Sequence, residues 1–302
     1  MKRSPRSELA LDSDAVLARI AGPVEEWAGI RPDRCRARLL KRTERRLVVR
    51  YDIDAGGRPL SVIGKWFATD RGALVAEALS LLRKSGFAGP ETAVPAPIAY
   101  LPDLRALFVE AVEGMLLRVV LLADPSAAAR AGAWLAAFHR APFTSSRSCG
   151  PEKQVRAVGR WASESPALAP IAPALAGALS ALPDPSRPVH YDYYHSQVLV
   201  PDAAPTVVLD LDEAGLGDPA FDLAHFETHL ELLALQWLGD PGGLQAACDA
   251  FRTGYGDSAP EPPPALRAFA WFKLARNLIA RGAPPSQSRY ASEAVERNLA
   301  SA

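Results

Sequence analysis

His190-Tyr191-Asp192-Tyr193-Tyr194-His195-Ser196-Gln197-Val198-Leu199-Val200, followed by Val207-Val208-Leu209-Asp210-Leu211-Asp212, is the stretch whose reading decides this chain. Val198 to Val200 and Val207 to Leu211 are short β-branched and aliphatic runs flanked by acids, which reads as a small hairpin set among helices. Asp192 falls on the loop ahead of it, Gln197 enters the first run five residues later, and Asp210 ends the second. Such a hairpin brings a loop carboxylate together with an amide and a second carboxylate. The first can orient a hydroxyl and take its proton, while the other two supply the hard oxygens that a divalent cation prefers.

The same order resembles the kinase catalytic loop H-x-D-x-x-x-x-N and metal-binding D-x-x. Its continuation, Asp212-Glu213-Ala214-Gly215-Leu216-Gly217-Asp218-Pro219-Ala220-Phe221-Asp222-Leu223-Ala224, is similar to the G-D-P-x-x-D-L segment of the aminoglycoside phosphotransferase family, the small-molecule branch of the protein-kinase-like fold. The resemblance covers about residues 35 to 280. It implies an α+β, protein-kinase-like two-lobe fold: residues 1–113 as a nucleotide-binding lobe with a small antiparallel sheet and one main helix, and residues 114–302 as a larger helical lobe with catalytic loop and acceptor site. By the same resemblance the cofactors are ATP and Mg²⁺, Asp192 is the catalytic base and Asp210 the principal metal ligand. His190, Asp218 and Asp222 are structural supports, and His195 is either a substrate contact or a plain loop residue. The family has Asn where this chain has Gln197, which offers the same carbonyl one methylene further out. That departure keeps open a second reading, an inactive pseudokinase that binds nucleotide and a partner. A protein kinase is disfavoured, because Gly215 to Asp222 follow Asp210 too closely for a long activation segment.

In the first half, Arg46 to Ile53 and Leu60 to Phe67 read as strands joined at Asp54-Ala55-Gly56-Gly57, after a helix at about Asp12 to Trp27. Asp70 is an N-cap candidate for a helix to Lys84 that places Leu74, Val75, Ala78, Leu79 and Leu82 on one face, with Gly86 beyond its end. By analogy with kinases, Lys65 on the second strand would contact nucleotide phosphates, with Glu77 turned inward to pair with it. Val109-Glu110-Ala111-Val112-Glu113-Gly114 resembles the hinge that holds adenine, with the Glu110 carbonyl and Val112 N–H as its groups. No G-x-G-x-x-G precedes the hairpin. Beyond Gly114 helices are expected at Ala127 to Arg140, twice between Glu152 and Leu182, and at Phe221–Leu238, Gly243–Tyr255, Pro264–Arg281 and Glu293–Ala300.

Of 302 residues, 49% are hydrophobic and 23% charged, so a buried core is expected and wholesale disorder is excluded. The formal net charge is zero, which gives no electrostatic case for a nucleic-acid or membrane-surface partner. Locally, residues 31 to 50 carry nine basic side chains against two acids, whereas residues 210 to 260 carry ten acids against Arg252 alone. Glu227 and Glu231 are therefore acceptor-site candidates, and the expected partners are nucleotide and a small hydroxyl acceptor, with a cationic one such as an aminoglycoside or amino alcohol favoured. The sequence carries no signal for an oligomeric state. Cys35, Cys149 and Cys248 are too few and too scattered for a disulfide framework or zinc motif and read as reduced thiols. The opening MKRSPRSELALDSD lacks a signal-peptide apolar core and reads as a frayed tail, so a cytoplasmic protein is expected.

Overall fold

A computed structural model describes residues 5–201 and 205–301. The chain divides into two compact units, Met1–Glu113 and Gly114–Ala302. The first contains α1 (Pro5–Leu9), α2 (Ser13–Ala28), β1 (Arg34–Arg42), β2 (Arg46–Ala55), β3 (Arg58–Phe67), α3 (Arg71–Lys84), β4 (Thr92–Ala93), β5 (Pro97–Leu101) and β6 (Ala106–Glu110). Five strands form an antiparallel sheet in the order β1-β2-β3-β6-β5. Alternation sets its faces: Val49, Tyr51 and Ile53 of β2, Val62 and Trp66 of β3 and Phe108 of β6 pack with Val16, Ile20 and Val24 of α2. Asp12 caps α2, its Oδ1 accepting from Ala15 N–H at 3.0 Å. The Tyr51 hydroxyl donates to the Ala10 carbonyl at 2.7 Å and accepts from Trp66 Nε1 at 3.1 Å, so polar groups in this core are paired.

Several expectations need correction here. Residues 5–9 of the supposed frayed tail are helical and Ala10 is buried, while residues 1–4 lie outside the described residues. The basic run is itself a strand, β1, whose Arg34, Arg36 and Arg38 stand exposed at alternate positions with Cys35 and Ala37 half-buried. Charge of that kind suits an edge strand, because it deters pairing with another chain, and it hides the period-2 signal. Leu74 and Glu77 of α3 are both exposed, so the buried stripe is narrower than expected and Glu77 does not turn inward. Asp70 precedes α3 without a side-chain cap bond and instead pairs with Arg105 at 3.0 Å.

The second unit holds α4 (Leu117–Val120), α5 (Ala128–Arg140), α6 (Pro151–Glu164), α7 (Ala172–Ser180), β7 (Arg187–Val189), β8 (Val198–Leu199), β9 (Thr206–Val208), β10 (Gly215–Gly217), α8 (Pro219–Leu238), α9 (Gln245–Tyr255), α10 (Pro264–Ala280) and α11 (Pro285–Leu299). β8 and β9 are the expected hairpin; β7 and β10 form a further antiparallel pair too short to leave a pattern. The last helix starts at Pro285 rather than Glu293, since proline is well tolerated in the first turn although Pro284-Pro285-Ser286 reads as loop. Phe269, Phe272 and Leu274 of α10 and Phe221 and Ala224 of α8 form the core with α6, α7 and α11. Gly132 of α5 and Gly254 of α9 let those helices touch backbone to backbone; a Cβ on either would collide with a carbonyl of the other, Phe251 O or Ala129 O.

Candidate active site

The loop from His190 to Gln197 is held from three sides. Asp222, in the first turn of α8 and fully buried, accepts from His190 N–H at 2.6 Å, Tyr191 N–H at 2.8 Å and His139 Nε2 at 3.1 Å. His139 Nδ1 lies 2.8 Å from the Tyr255 hydroxyl, which extends the chain of bonds to α9. Burial works to raise the Asp222 pKa, but His139 and the loop amides outweigh it and hold the carboxyl below its ordinary range. Tyr193 stacks on Trp134 and Phe226 and donates its hydroxyl to the Ala131 carbonyl at 2.8 Å. Thus clamped, Tyr191 adopts φ +66°, a conformation that costs a non-glycine residue about 1 kcal/mol or more. Asp192 follows directly, with its side chain about one-third exposed.

His190 joins the loop to the hairpin. Its Nε2 lies 3.0 Å from the Leu209 carbonyl, which fixes the proton there and leaves Nδ1 to accept from Asp192 N–H at 3.4 Å. Gln197 N–H donates to Tyr194 O, and its own carbonyl accepts from Leu209 N–H, both at 2.8 Å. That register puts Gln197 beside Leu209, which follows β9 and precedes Asp210 at φ +62°, ψ +51°. Asp218 caps α8, accepting from Ala220 N–H at 2.9 Å. Between them the segment Asp212–Gly217 is fastened by Arg147, which donates to Asp212 O at 2.8 Å and pairs with Glu213, and by Cys149 N–H bonded to Leu216 O. The donors at this end of the hairpin are a carboxylate and an amide, oxygens suited to Mg²⁺ and not to a thiophilic metal. Among the described residues no three His, Cys, Asp or Glu side chains form a metal cluster.

In the first unit Lys65 lies on β3 opposite Val48 and Leu107, on the face turned away from Val62 and Trp66. Glu110 ends β6; its amide donates to Ala96 O at 2.9 Å and its carboxylate accepts from Ala96 N–H at 3.1 Å. Val112 follows in coil, half-buried.

The sequence model described as the phosphotransferase enzyme family matches residues 65–269. This chain belongs to that family. Among solved structures it is similar to the aminoglycoside phosphotransferase APH(4)-Ia, at 16% identity and TM-score 0.62, covering 93% of this chain and 99% of that one. A choline/ethanolamine kinase family protein from Mesorhizobium loti gives 15% and 0.61, with 95% and 93% covered. Choline kinase LicA from Streptococcus pneumoniae gives 12% and 0.64, with 96% and 99% covered. These likenesses establish the protein-kinase-like fold. No curated protein matches the chain.

Within this phosphotransferase fold, the acidic residues expected at the acceptor site need correction. On α8, His225 and His229 share the face that looks at the His190–Gln197 loop, with His225 Nε2 3.9 Å from Asp192 Oδ1. Glu227 and Glu231 are two residues on from these, about 200° around the helix. Glu227 is buried and paired with Arg252 at 2.6 Å and Arg267 at 2.8 Å, and with Glu231 it lines a separate cavity of about 290 Å³. The negative charge counted along residues 210 to 260 is thus partly spent on arginines and loop backbone. His195 is buried and its Nδ1 lies 3.0 Å from the Ser196 hydroxyl; burial lowers its pKa to about 4, so it is neutral. Sequence reasoning missed Lys273, whose Nζ donates to Asp192 Oδ1 and to Tyr191 O, each at 2.8 Å. A signal existed: Lys273 is the only polar residue in Ala268–Ala275, an otherwise buried run. All five histidines of the chain were a second signal, since each meets this loop or Asp222 directly or through a neighbouring ring.

Proposed function

We propose that this chain is an ATP- and Mg²⁺-dependent phosphotransferase that moves the γ-phosphoryl group to a hydroxyl of a small molecule. The observation that carries the reading is the clamped loop and hairpin, which set Asp192, Gln197 and Asp210 in one framework of hydrogen bonds. Asp192 orients the acceptor hydroxyl and receives its proton. The hydroxyl oxygen forms the new bond to the γ-phosphorus as the bond to the β,γ-bridging oxygen breaks, and ADP leaves. Asp210 and Gln197 would hold Mg²⁺, which supplies charge neutralisation for the phosphates, and Lys65 would contact the nucleotide phosphates. Glu110 O and Val112 N–H are the proposed adenine contacts; Glu77, exposed on α3, has no pairing role in this scheme. Solved relatives support a nucleotide and a small acceptor, one being a ternary complex of an aminoglycoside phosphotransferase with ADP and hygromycin B, and another with AMP-PNP and hygromycin B.

The test is ADP release against a panel of aminoglycosides, amino alcohols, neutral sugars and macrolides, with mass spectrometry of the product. Asp192→Asn is expected to lower turnover by about 10² to 10⁴ while leaving nucleotide affinity intact, as loss of a positioned proton acceptor does. Near-parental turnover in that variant would remove Asp192 from its role. A chain that binds nucleotide but phosphorylates nothing in the panel would be the pseudokinase.

A further inference from the structure

Lys273 enters the site from α10, its side chain 14% exposed and its Nζ 5.5 Å from the centroid of the Tyr191 ring and 5.9 Å from that of Phe221. A lysine in such surroundings is held by its partners, because an ammonium removed from water needs charged or polar neighbours. Both partners here are on the catalytic loop. One bond goes to Tyr191 O, the carbonyl that follows the left-handed φ, and the other to Asp192 Oδ1 on the next residue. Asp222 meanwhile binds the amides on the other side of Tyr191. Tyr191 is therefore held from two directions, by an anion on its own N–H and that of His190 and by a cation on its carbonyl. Among the described residues Asp192 Oδ2 makes no hydrogen bond, so one carboxylate oxygen is anchored and the other is left open.

Resting on the function proposed above, we infer that Lys273 is the positioning residue of phosphoryl transfer: its ammonium anchors Asp192 Oδ1 and the Tyr191 carbonyl so that Oδ2 is presented to the acceptor hydroxyl. The other groups facing Asp192 do not compete for this role. His225 donates from Nδ1 to Tyr193 O at 2.9 Å, so its Nε2 is a buried lone pair without a partner, and burial pushes its pKa down to about 3. It is uncharged at neutral pH, which leaves Lys273 as the cation hydrogen-bonded to this carboxylate. Burial alone would raise the Asp192 pKa; Lys273 first, and His225 after it, reverse that and hold it below the ordinary range. So anchored, Asp192 is a weak base and a good orienting group, which suits a loose transition state with little early proton transfer.

The experiment compares Lys273→Met and Lys273→Arg in the full-length protein. Lys273→Met is expected to lower kcat by about 10²-fold, the scale of a misplaced catalytic group, with the affinity for Mg·ADP unchanged. Lys273→Arg keeps the charge and should recover part of that loss. Adding Lys273→Met to Asp192→Asn should cost nothing further in the residual rate, since the lysine acts through the carboxylate. An unchanged kcat in Lys273→Met overturns the inference. So does a folded Lys273→Arg as slow as Lys273→Met, or a further full loss in the double variant. If the parent phosphorylates no acceptor, the functional reading is what fails, and thermal denaturation of the parent, Lys273→Met, Asp192→Asn and the double variant still judges the anchor: coupled losses sustain it and additive losses overturn it.

Discussion

Asp222 is placed to serve the loop backbone and not a substrate. With its pKa lowered in the folded state, it contributes stability that is fully present above the ordinary carboxylate range and is lost as pH falls through the folded value. Asp222→Asn puts an N–H donor where an acceptor is needed, and should cost about 2–4 kcal/mol at neutral pH, as an unsatisfied buried donor beside lost charged bonds does. Denaturant midpoints of parent and variant should converge on acidification from pH 7 toward 3; a gap that stays constant would show that the carboxylate charge is not what holds the loop. Gln197 poses a sharper question. If the hairpin is fitted to its length, Gln197→Ala should lose much of kcat, and Gln197→Asn should be impaired too, because Mg²⁺ demands near-ideal geometry. An active parent indifferent to Gln197→Ala would remove the amide from the ligand set while sparing the enzyme.

At the scale of elements, helix phase decides what composition could not. The histidines of α8 face the His190–Gln197 loop while Glu227 and Glu231 face α9 and α10, so Glu231→Gln should leave KM alike for cationic and neutral acceptors. A selective rise for the cation would return Glu231 to the acceptor site. The crossing of α5 and α9 fixes His139 and Tyr255, which back Asp222. Gly132→Ala would drive a methyl group into the α9 backbone and should cost about 1–3 kcal/mol or more by overpacking. Urea denaturation measures it, and a lowered kcat alongside would follow from a loosened loop.

For the whole molecule, binding of Mg·ADP to the folded state alone should raise the melting temperature, with about 2.7 kcal/mol of stabilisation at a hundredfold excess over Kd. Lys65→Met is expected to shrink that shift, measured by scanning fluorimetry from the variant's own ligand-free melting curve. An undiminished shift would take Lys65 out of the nucleotide's contacts. No described helix is long and apolar enough to cross a membrane, and the three cysteines are free, in keeping with a fold that rests on buried apolar packing.

What the sequence determined by itself was everything encoded in local order: the strands β2 and β3 by their alternation, the long helices by their apolar period, and the family by the fixed spacing of Asp192, Gln197, Asp210, Asp218 and Asp222. Those signals survive in one dimension because each is set by residues a few positions apart. It did not reveal β1, whose charged edge masks its period, nor β7 and β10, which are three residues each. Only the tertiary structure could decide which charges meet. Lys273 is 81 residues from Asp192, and Arg252 and Arg267 are 25 and 40 residues from Glu227, so a count along the chain assigned to a substrate the charge that folding had already given to arginines. Electrostatic partners are chosen by distance in space, because Coulomb energy and desolvation depend on the few ångströms around a group and carry no trace in its sequence neighbourhood.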